Sequence, residues 1–204
     1  MKTLAFLSQK GGSGKTTLAV HTAVAAREAG QSVVLVDTDP QRSAMAWGDA
    51  RGASEPAVVA VSASGLERLL QTQKAAGVEL AIIDTAPHAA PEAARIARLA
   101  DLVAIPCRPS AFDLAAVENA VRIVRAAKVR SVFVLSACPF RAPEIGEARD
   151  ALSGYGFPIS PEITDRRPFA RAVATGRAVT EFEGDGRAAA EVRALWGWLK
   201  EQMG

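Results

Sequence analysis

The sequence predicts an α/β fold, in which helices cover both faces of a mostly parallel, twisted sheet. Three observations support this prediction. Apolar runs of strand length alternate with segments of helical periodicity, a pattern that produces right-handed crossovers between parallel strands. Of the 204 residues, 49% are hydrophobic but only 5% are aromatic, as expected where small aliphatic side chains fill strands buried on both sides. A glycine-rich loop and several carboxylates directly follow predicted strands, which is where α/β proteins bind ligands.

The first strand and helix enclose the most informative segment of the chain. The run Lys2–Ser8 leads into residues 9–17, QKGGSGKTT, and helical spacing extends over Lys15–Glu28. A strand, a glycine-rich turn and a helix start form a cradle whose backbone N–H groups bind phosphate. We predict that the Lys15 ammonium group neutralises the β- and γ-phosphate oxygens and that the Thr16 hydroxyl coordinates Mg²⁺.

The second and fourth predicted strands are both followed by acidic residues. Ser32–Val36 precedes Asp37 and Asp39, and Leu80–Ile83 precedes Asp84. Because parallel strands end at a common edge of the sheet, these carboxylates should lie beside the phosphate cradle. A nucleoside-triphosphate site needs one acid near Mg²⁺ and another group that positions the attacking water. Asp84 fits the acid that holds Mg²⁺.

The remaining elements complete the alternation. The other predicted strands are Ala57–Val61, Leu102–Pro106 and Val132–Ala137. The other helices before residue 155 are predicted over Ser43–Arg51, Gly65–Ala76, Pro91–Leu99, Leu114–Ala127 and Glu144–Leu152. After residue 155, a turn-rich stretch surrounds one short strand, and Thr164–Thr175 and Gly186–Met203 are predicted helices. No linker separates a second unit, so we expect a single domain over residues 1–204.

These motifs together resemble those of the ParA-type partition ATPases, within the deviant Walker A group that also includes MinD and the nitrogenase iron protein. In the loop, Gln9 replaces the first glycine of the strict pattern, and an additional lysine, Lys10, precedes the glycines. Residues 36–41, VDTDPQ, match the family's second motif, and residues 83–87, IDTAP, match its Walker B motif. Weaker matches lie at residues 105–113 and 163–181. The resemblance is to the short subgroup of this family, so we expect no N-terminal helix-turn-helix extension.

The resemblance implies an ATPase that binds ATP and Mg²⁺ in a nucleotide sandwich dimer and hydrolyses ATP to segregate plasmid or chromosomal DNA or to position a cargo. Lys10 would reach the phosphates of the partner subunit, in the manner of an arginine finger, whereas Lys15 would hold those of its own subunit. Asp39 would orient the attacking water. The metal would be organised by Thr16, Asp37 and Asp84. The residues that would contact the phosphates are Lys10, Gly11, Gly12, Ser13, Gly14, Lys15, Thr16 and Thr17.

The nucleobase site departs from the family pattern. Relatives often carry a base-contacting Asn or Thr-Arg at the end of the strand Val132–Ala137, where this chain has the residues 136–138, SAC. We therefore expect backbone groups in a neighbouring segment to bind the base. The segment consists of Pro106, Cys107, Arg108 and Pro109. The sequence Asn-Lys-x-Asp, typical of GTPases, does not occur, so ATP is favoured over GTP.

The resemblance also implies nonspecific DNA binding by the ATP-bound dimer and a small centromere-binding or cargo adaptor protein that stimulates hydrolysis. Contacts to DNA phosphates need Lys and Arg without base readout. Two basic clusters are candidates: Arg122, Arg125, Lys128 and Arg130 in one, and Arg166, Arg167 and Arg171 in the other. Ordinary solvated side chains are the alternative interpretation, because a net charge of +2 neither requires nor excludes a nucleic-acid partner.

Other functions fit the sequence less well. No apolar run approaches about 18 residues, and the last predicted helix has few basic residues for a membrane surface. We therefore expect a cytoplasmic protein with no membrane partner, and the resemblance implies that it is associated with the nucleoid. The main alternative is an ATP-dependent metabolic ligase of the dethiobiotin synthetase type, although no additional acid/base cluster is evident. Cys107 and Cys138 are expected to be buried, and His88 is interpreted as a loop residue near the site.

Overall fold

The computed structural model describes residues 1–87 and 90–204, and these contain a six-stranded sheet in which all neighbouring strands are parallel. The order across the sheet is β3-β2-β4-β1-β5-β6. The bounds are β1 Lys2–Phe6, β2 Val33–Asp37, β3 Ala57–Ala60, β4 Leu80–Asp84, β5 Leu102–Cys107 and β6 Arg130–Leu135. The predicted α/β fold is thus confirmed. Because β1 lies between β4 and β5, the loop that follows it opens at the middle of the carboxyl edge of the sheet.

Helices cover both faces of this sheet. The bounds are α1 Lys15–Glu28, α2 Ser43–Ala50, α3 Leu66–Ala75, α4 Ala90–Leu99, α5 Ala111–Ala127, α6 Glu144–Ser153, α7 Arg167–Val173, α8 Val179–Phe182 and α9 Arg187–Met203. The helix α1 packs against α9 on one face, and α4 packs against α5 on the other. Successive residues of β1 and the residue after it contribute alternately to the two cores. Leu4 and Phe6 lie on the α1 side, and Ala5 and Leu7, which directly follows β1, lie on the opposite side, as the two-residue period of a strand requires.

The region after β6 differs most from the prediction. The helix predicted over Thr164–Thr175 is the shorter α7, because Pro168 occupies its first turn, the part of a helix that tolerates proline. The helix α8 has no counterpart in the prediction, since four residues are too few to show helical periodicity. In place of the predicted short strand, Ile159 forms an isolated bridge with Phe133.

Two boundaries near the carboxyl edge also differ. The strand β6 ends at Leu135 because Ala137 has a positive φ of 48°, which is incompatible with an extended strand. The helix α5 begins at Ala111, three residues before the predicted start, because the Ser110 hydroxyl caps it by accepting a hydrogen bond from the Asp113 N–H. Both boundaries shape the site described below.

Two further predictions concern burial and the membrane. Cys107 and Cys138 are buried, free thiols, as predicted, and burial raises the pKa of each to about 12. Neither is therefore a nucleophile at neutral pH. No helix among residues 1–87 and 90–204 has the length and apolar character that a membrane crossing requires. His88 lies outside the described residues.

Candidate nucleotide site

The loop after β1 forms a turn that depends on glycine at two positions. Gly12 and Gly14 have φ values of 71° and 95°, which residues with a Cβ rarely adopt. Gly14 is also the N-cap of α1, and no side chain caps this helix start. The first N–H groups of α1 are therefore available to bind an anion at the positive end of the helix dipole. We refer to the edge of the sheet that carries this loop as the nucleotide edge.

Lys15 spans this turn from the first residue of α1. Its side chain is buried, and its Nζ donates a hydrogen bond to the Lys10 carbonyl oxygen at 3.2 Å. Burial lowers the pKa of Lys15, and the carboxylates of Asp84 and Asp39 oppose this shift. A phosphate in the loop would further favour the charged ammonium group, because an anion stabilises a buried cation.

The Walker B residue Asp84 is joined directly to the phosphate loop. The Thr16 hydroxyl donates a hydrogen bond to Asp84 Oδ2 at 2.6 Å, although the two residues are 68 positions apart in the chain. Burial raises the pKa of Asp84 to about 7; Asp37 acts in the same direction, whereas the Thr16 hydroxyl opposes it. A cation bound beside Asp84 would lower this pKa and keep the carboxylate ionised.

Two buried polar atoms beside this pair lack a protein partner within the described part of the chain. They are Asp84 Oδ1 and Ser13 Oγ. Buried polar atoms are normally hydrogen-bonded, so an unpaired carboxylate oxygen and an unpaired hydroxyl at a phosphate loop fit Mg²⁺ and phosphate as missing partners. Among residues 1–87 and 90–204, no three His, Cys, Asp or Glu side chains are grouped to hold a metal by themselves. Mg²⁺ bound to phosphate oxygens and water, with only one or two protein ligands, is consistent with that finding.

Asp37 has a structural role at the nucleotide edge. Its Oδ1 accepts a hydrogen bond from the Asp39 N–H at 2.9 Å, and its Oδ2 accepts one from the Met45 N–H at 3.0 Å. It therefore shapes the turn after β2 and caps the start of α2. Asp37 also lies directly opposite Asp84 in the pairing of β2 with β4. Its predicted contribution to the metal site stays a prediction, and such a contribution would be shared with this capping role.

Asp39 lies on the turn between β2 and α2 and faces solvent more than Asp84 does. Its Oδ1 accepts a hydrogen bond from the Gln41 N–H at 2.9 Å. A solvent-open cavity of about 320 Å³ adjoins it, lined also by Arg42, Ser62 and Glu92. A carboxylate with a free oxygen at an open cavity can hold a water molecule, which is the role that the resemblance implies for Asp39.

Lys10 is held by a carboxylate of its own chain. Its Nζ lies 2.7 Å from Asp113 Oδ2 of the same chain, and the Ser110 hydroxyl donates a second hydrogen bond to that oxygen at 2.5 Å. The Asp113 side chain is only 7% exposed, whereas that of Lys10 is 36% exposed. The capped start of α5 places this buried carboxylate next to Lys10, and the contact of Lys10 with a partner subunit's phosphates stays a prediction. The spacing Ser110-x-x-Asp113, typical of a helix start, was the available signal.

A second cavity, of about 500 Å³, lies beside the first turn of α1. It adjoins Ser13 and Gly14 of the phosphate loop and has the size of a nucleoside site. Of the four residues expected to contact the base, Arg108 alone lines this cavity; Pro106 and Cys107 lie within β5, and Pro109 is buried. The side chains or backbone of Ser136, Ala137, Asp165 and Phe169 contribute to its wall. Asp165 and Phe169 fall in the segment 163–181 that the resemblance had indicated, although without individual roles.

The two predicted DNA clusters lie in different parts of the molecule. The helix α5 starts at the nucleotide edge and returns to the opposite edge before β6, about 25 Å away for 17 residues. Arg122, Arg125, Lys128 and Arg130 are exposed there, and none of them forms an ion pair within the described residues. We refer to these four residues as the basic edge.

The other cluster lies beside the nucleoside-sized cavity. Arg166 lines the cavity and pairs with Glu191 at 2.8 Å. Arg171 stacks over the ring of Phe182 at 5.6 Å, and Arg167 is exposed. One of these arginines therefore already has a carboxylate partner, and the role of the cluster in DNA binding stays a prediction.

Comparisons with known proteins agree with this geometry. Residues 4–179 match the family model described as the CobQ/CobB/MinD/ParA nucleotide binding domain. The protein named maintenance of carboxysome distribution protein A, from Gloeobacter kilaueensis, is 30% identical over 194 residues, which cover 93% of this chain and 89% of that protein.

Two solved structures share the fold. The structure of apo McdA from Cyanothece has a TM-score of 0.80 at 17% identity and is covered over the full length of both chains. The septum site-determining protein MinD with Mg-ADP, from Pyrococcus horikoshii OT3, has a TM-score of 0.81 at 16% identity, with 100% of this chain and 97% of that chain covered.

Proposed function

The chain belongs to the CobQ/CobB/MinD/ParA nucleotide-binding family, and from this premise we propose that it positions an intracellular cargo through cycles of ATP-dependent dimerisation and hydrolysis. It is a P-loop ATPase of the MinD/ParA kind, with ATP and Mg²⁺ as its nucleotide and metal. The cargo is DNA or a large protein assembly. The name of the Gloeobacter relative, which refers to carboxysome distribution, favours a protein assembly.

One observation carries the proposal: at an uncapped helix start, Thr16 donates a hydrogen bond to the buried Asp84 carboxylate, and the buried Lys15 ammonium group interacts electrostatically with the same carboxylate. The loop N–H groups and Lys15 would bind the phosphates. Thr16 and Asp84 would hold Mg²⁺, which, when bound, neutralises charge on the β- and γ-phosphate oxygens. Asp39, at the open cavity next to these residues, would orient the water that attacks the γ-phosphate.

Dimerisation would require Lys10 to exchange one anion for another. In the isolated chain its ammonium group is held by Asp113. A partner subunit's triphosphate carries more negative charge than one carboxylate, so Lys10 would move to it when two nucleotide edges meet. Hydrolysis would then wait for the second subunit, because the transition-state charge is fully stabilised only when Lys10 is delivered in trans.

DNA binding and an adaptor complete the proposed cycle. The basic edge offers exposed cations with no carboxylate partner among the described residues, and two copies in a dimer would double these contacts. Binding of this kind is nonspecific and sensitive to salt. A small adaptor protein attached to the cargo would stimulate hydrolysis and release the dimer from DNA.

The test combines ATPase and DNA-retention measurements. We expect Mg²⁺-dependent ATP hydrolysis, and retention of the protein on nonspecific duplex DNA that requires ATP and weakens as salt increases. A protein that hydrolyses ATP but binds no DNA at low salt in any nucleotide state would contradict the DNA part and favour a metabolic ligase. A protein that neither binds nor hydrolyses ATP would contradict the whole proposal.

A further inference from the structure

Thr38 lies between the two acidic residues that follow β2, and its side chain is almost completely buried. The function proposed above assigns roles to Asp37 and Asp39 on either side of it but none to Thr38. Its hydroxyl group donates a hydrogen bond to the Asp84 backbone carbonyl oxygen at 2.8 Å. Its backbone N–H donates a hydrogen bond to the same oxygen at 3.0 Å.

This double contact exceeds what the sheet requires. The N–H bond alone continues the parallel pairing of β2 with β4 one residue past Asp37 and Asp84. The hydroxyl adds a second donor to a carbonyl oxygen, which has two lone pairs to accept it. A buried valine at residue 38 would satisfy the backbone equally well, since the N–H bond would remain. The hydroxyl therefore adds a second hydrogen bond between the turn and β4, beyond the one that the sheet pairing supplies.

The turn beyond Thr38 holds Asp39 by a short series of hydrogen bonds. The Asp39 N–H donates to Asp37 Oδ1, and the Asp39 carbonyl oxygen accepts from the Arg42 N–H at 2.9 Å. This turn is attached to the sheet through Thr38 on one side and through the Val61 N–H, which donates to the Asp37 carbonyl oxygen at 3.0 Å, on the other. Asp39 can therefore shift only if one of these attachments loosens.

Asp84 thereby connects two parts of the site. Its carboxylate accepts the hydrogen bond from Thr16 in the phosphate loop, and its carbonyl oxygen accepts both hydrogen bonds from Thr38. Thr38 thus links the residue that would hold the metal directly to the turn that carries the carboxylate that would orient water, and its hydroxyl supplies the only side-chain bond in that direct link among the described residues. We infer that Thr38 is a positioning residue, whose hydroxyl fixes Asp39 relative to Asp84 for the attack of water. This inference rests on the proposed function.

The experiment compares Thr38→Val with Thr38→Ser. Valine has nearly the shape of threonine without the hydroxyl, whereas serine keeps the hydroxyl. We expect Thr38→Val to lower kcat for ATP hydrolysis about tenfold, the effect of one lost positioning hydrogen bond, while Kd for ADP stays within about twofold. Thr38→Ser should retain at least half of the wild-type kcat.

Ser131→Ala is the matched control for the loss of a buried hydroxyl. Ser131 lies at the opposite edge of the sheet, and its hydroxyl donates to the Val129 carbonyl oxygen at 3.1 Å. The Ser131→Ala substitution should lower the melting temperature by about as much as Thr38→Val does, without changing kcat. If Thr38→Val fails to fold, Thr38→Ala removes the same hydroxyl without the branched methyl groups.

A double-mutant cycle separates positioning from general damage. If Thr38 acts through Asp39, Thr38→Val should lower kcat no further in an Asp39→Ala background. Independent, multiplicative effects of the two substitutions, or wild-type kcat for Thr38→Val, would overturn the inference. A wild-type protein without ATPase activity would instead contradict the proposed function, so the two failures can be distinguished.

Discussion

The nucleotide edge and the basic edge both concentrate charge, but they hold it in opposite ways. At the nucleotide edge, Lys15 and Asp84 are buried and Lys10 is paired with Asp113 at 2.7 Å. At the basic edge, the four cations are exposed and none pairs with a carboxylate within the described part of the chain. Charges in a buried network interact strongly, whereas exposed charges are screened by water and salt.

The difference indicates what each edge can do. Buried polar groups that are fixed in position and include unpaired oxygen atoms can bind one ligand in one geometry, because the ligand must supply a partner for each of those atoms. A set of exposed arginines and lysines can bind any polyanion in many geometries, with small contributions from each residue. Single substitutions should therefore have large effects at the nucleotide edge and small, additive effects at the basic edge.

The largest expected effect is that of Lys15→Ala. Removing the buried ammonium group leaves the phosphates and Asp84 without their cation, and deletion of one member of a buried charged set costs about 4 kcal/mol, or roughly 1000-fold in affinity. Titration with a fluorescent ATP analogue measures the loss. Lys128→Ala removes the same charge at the basic edge and should leave nucleotide affinity unchanged. Equal nucleotide affinity of the Lys15 variant and the wild type would contradict the large effect expected at the nucleotide edge.

Asp39→Ala should separate nucleotide binding from hydrolysis. Without a carboxylate to orient water, kcat should fall about 100-fold, the usual contribution of such a group, while ATP binding persists and the ATP-bound dimer accumulates. Single-turnover hydrolysis and sedimentation with ATP measure the two quantities. Asp49→Ala, an exposed acid on α2, is the control. Normal hydrolysis by the Asp39 variant would show that its assigned role is wrong.

His21, on α1, is a buried titratable group outside the two edges. It is buried, its Nδ1 accepts a hydrogen bond from the Val179 N–H at 3.2 Å, and burial lowers its pKa to about 4 from an ordinary 6.5. Between pH 6.5 and pH 4, His21 is protonated in the unfolded chain but stays neutral in the folded chain. The free energy of unfolding should therefore fall as the pH decreases through this range. The expected loss from this group is about 3 kcal/mol, since each pKa unit corresponds to about 1.4 kcal/mol.

The measurement is urea unfolding between pH 7.5 and pH 4, with His21→Asn as the reference. The difference between the two proteins removes the contributions of all other titrating groups. A stability difference that does not change with pH would mean that the histidine is ionised in the folded state or accessible to water.

Asp113→Asn tests whether the nucleotide edge restrains Lys10. The amide keeps the shape of the carboxylate but loses its charge, so Lys10 should move to a partner subunit more readily. Because Lys10 is partly exposed, the gain should be modest, about threefold to fivefold in the ATP-dependent dimerisation constant. Sedimentation in the Asp39→Ala background measures it. Lys10→Ala should shift dimerisation in the opposite direction, and a parallel shift of both variants would contradict the exchange of partners.

The smallest effects are expected at the basic edge. The double variant Arg122→Ala/Arg125→Ala should weaken ATP-dependent DNA binding a few-fold at moderate salt and lower the salt dependence by about one unit of slope for each lost phosphate contact. The corresponding pair Arg167→Ala/Arg171→Ala tests the other cluster. If only the second pair of substitutions changes the salt dependence of DNA binding, DNA binds beside the nucleotide cavity. The assignment of DNA binding to the basic edge would then be wrong.

Most of the fold and half of the site follow from local sequence patterns. Helical periodicity and strand-length apolar runs predict α1 at its observed bounds and place all six strands within about two residues. The glycine-rich loop and the acids after β2 and β4 predict which side chains meet, because parallel strands must end at one edge. Periodicity has no signal for a four-residue helix such as α8, or for the turn at Ala137.

Spacing and periodicity in the sequence alone determined the order of the elements and the phosphate loop, since both depend on residues close together in the chain. They also determined the common edge at which Lys15, Asp39 and Asp84 lie, because each of these residues follows a predicted strand and parallel strands end at one edge. Only the tertiary structure decided that Lys10 is held by Asp113, 103 positions away, and that Asp37 caps α2. It also decided that the two arginine clusters lie apart. Such pairings depend on distances of a few ångströms between distant segments, and no local pattern encodes those distances.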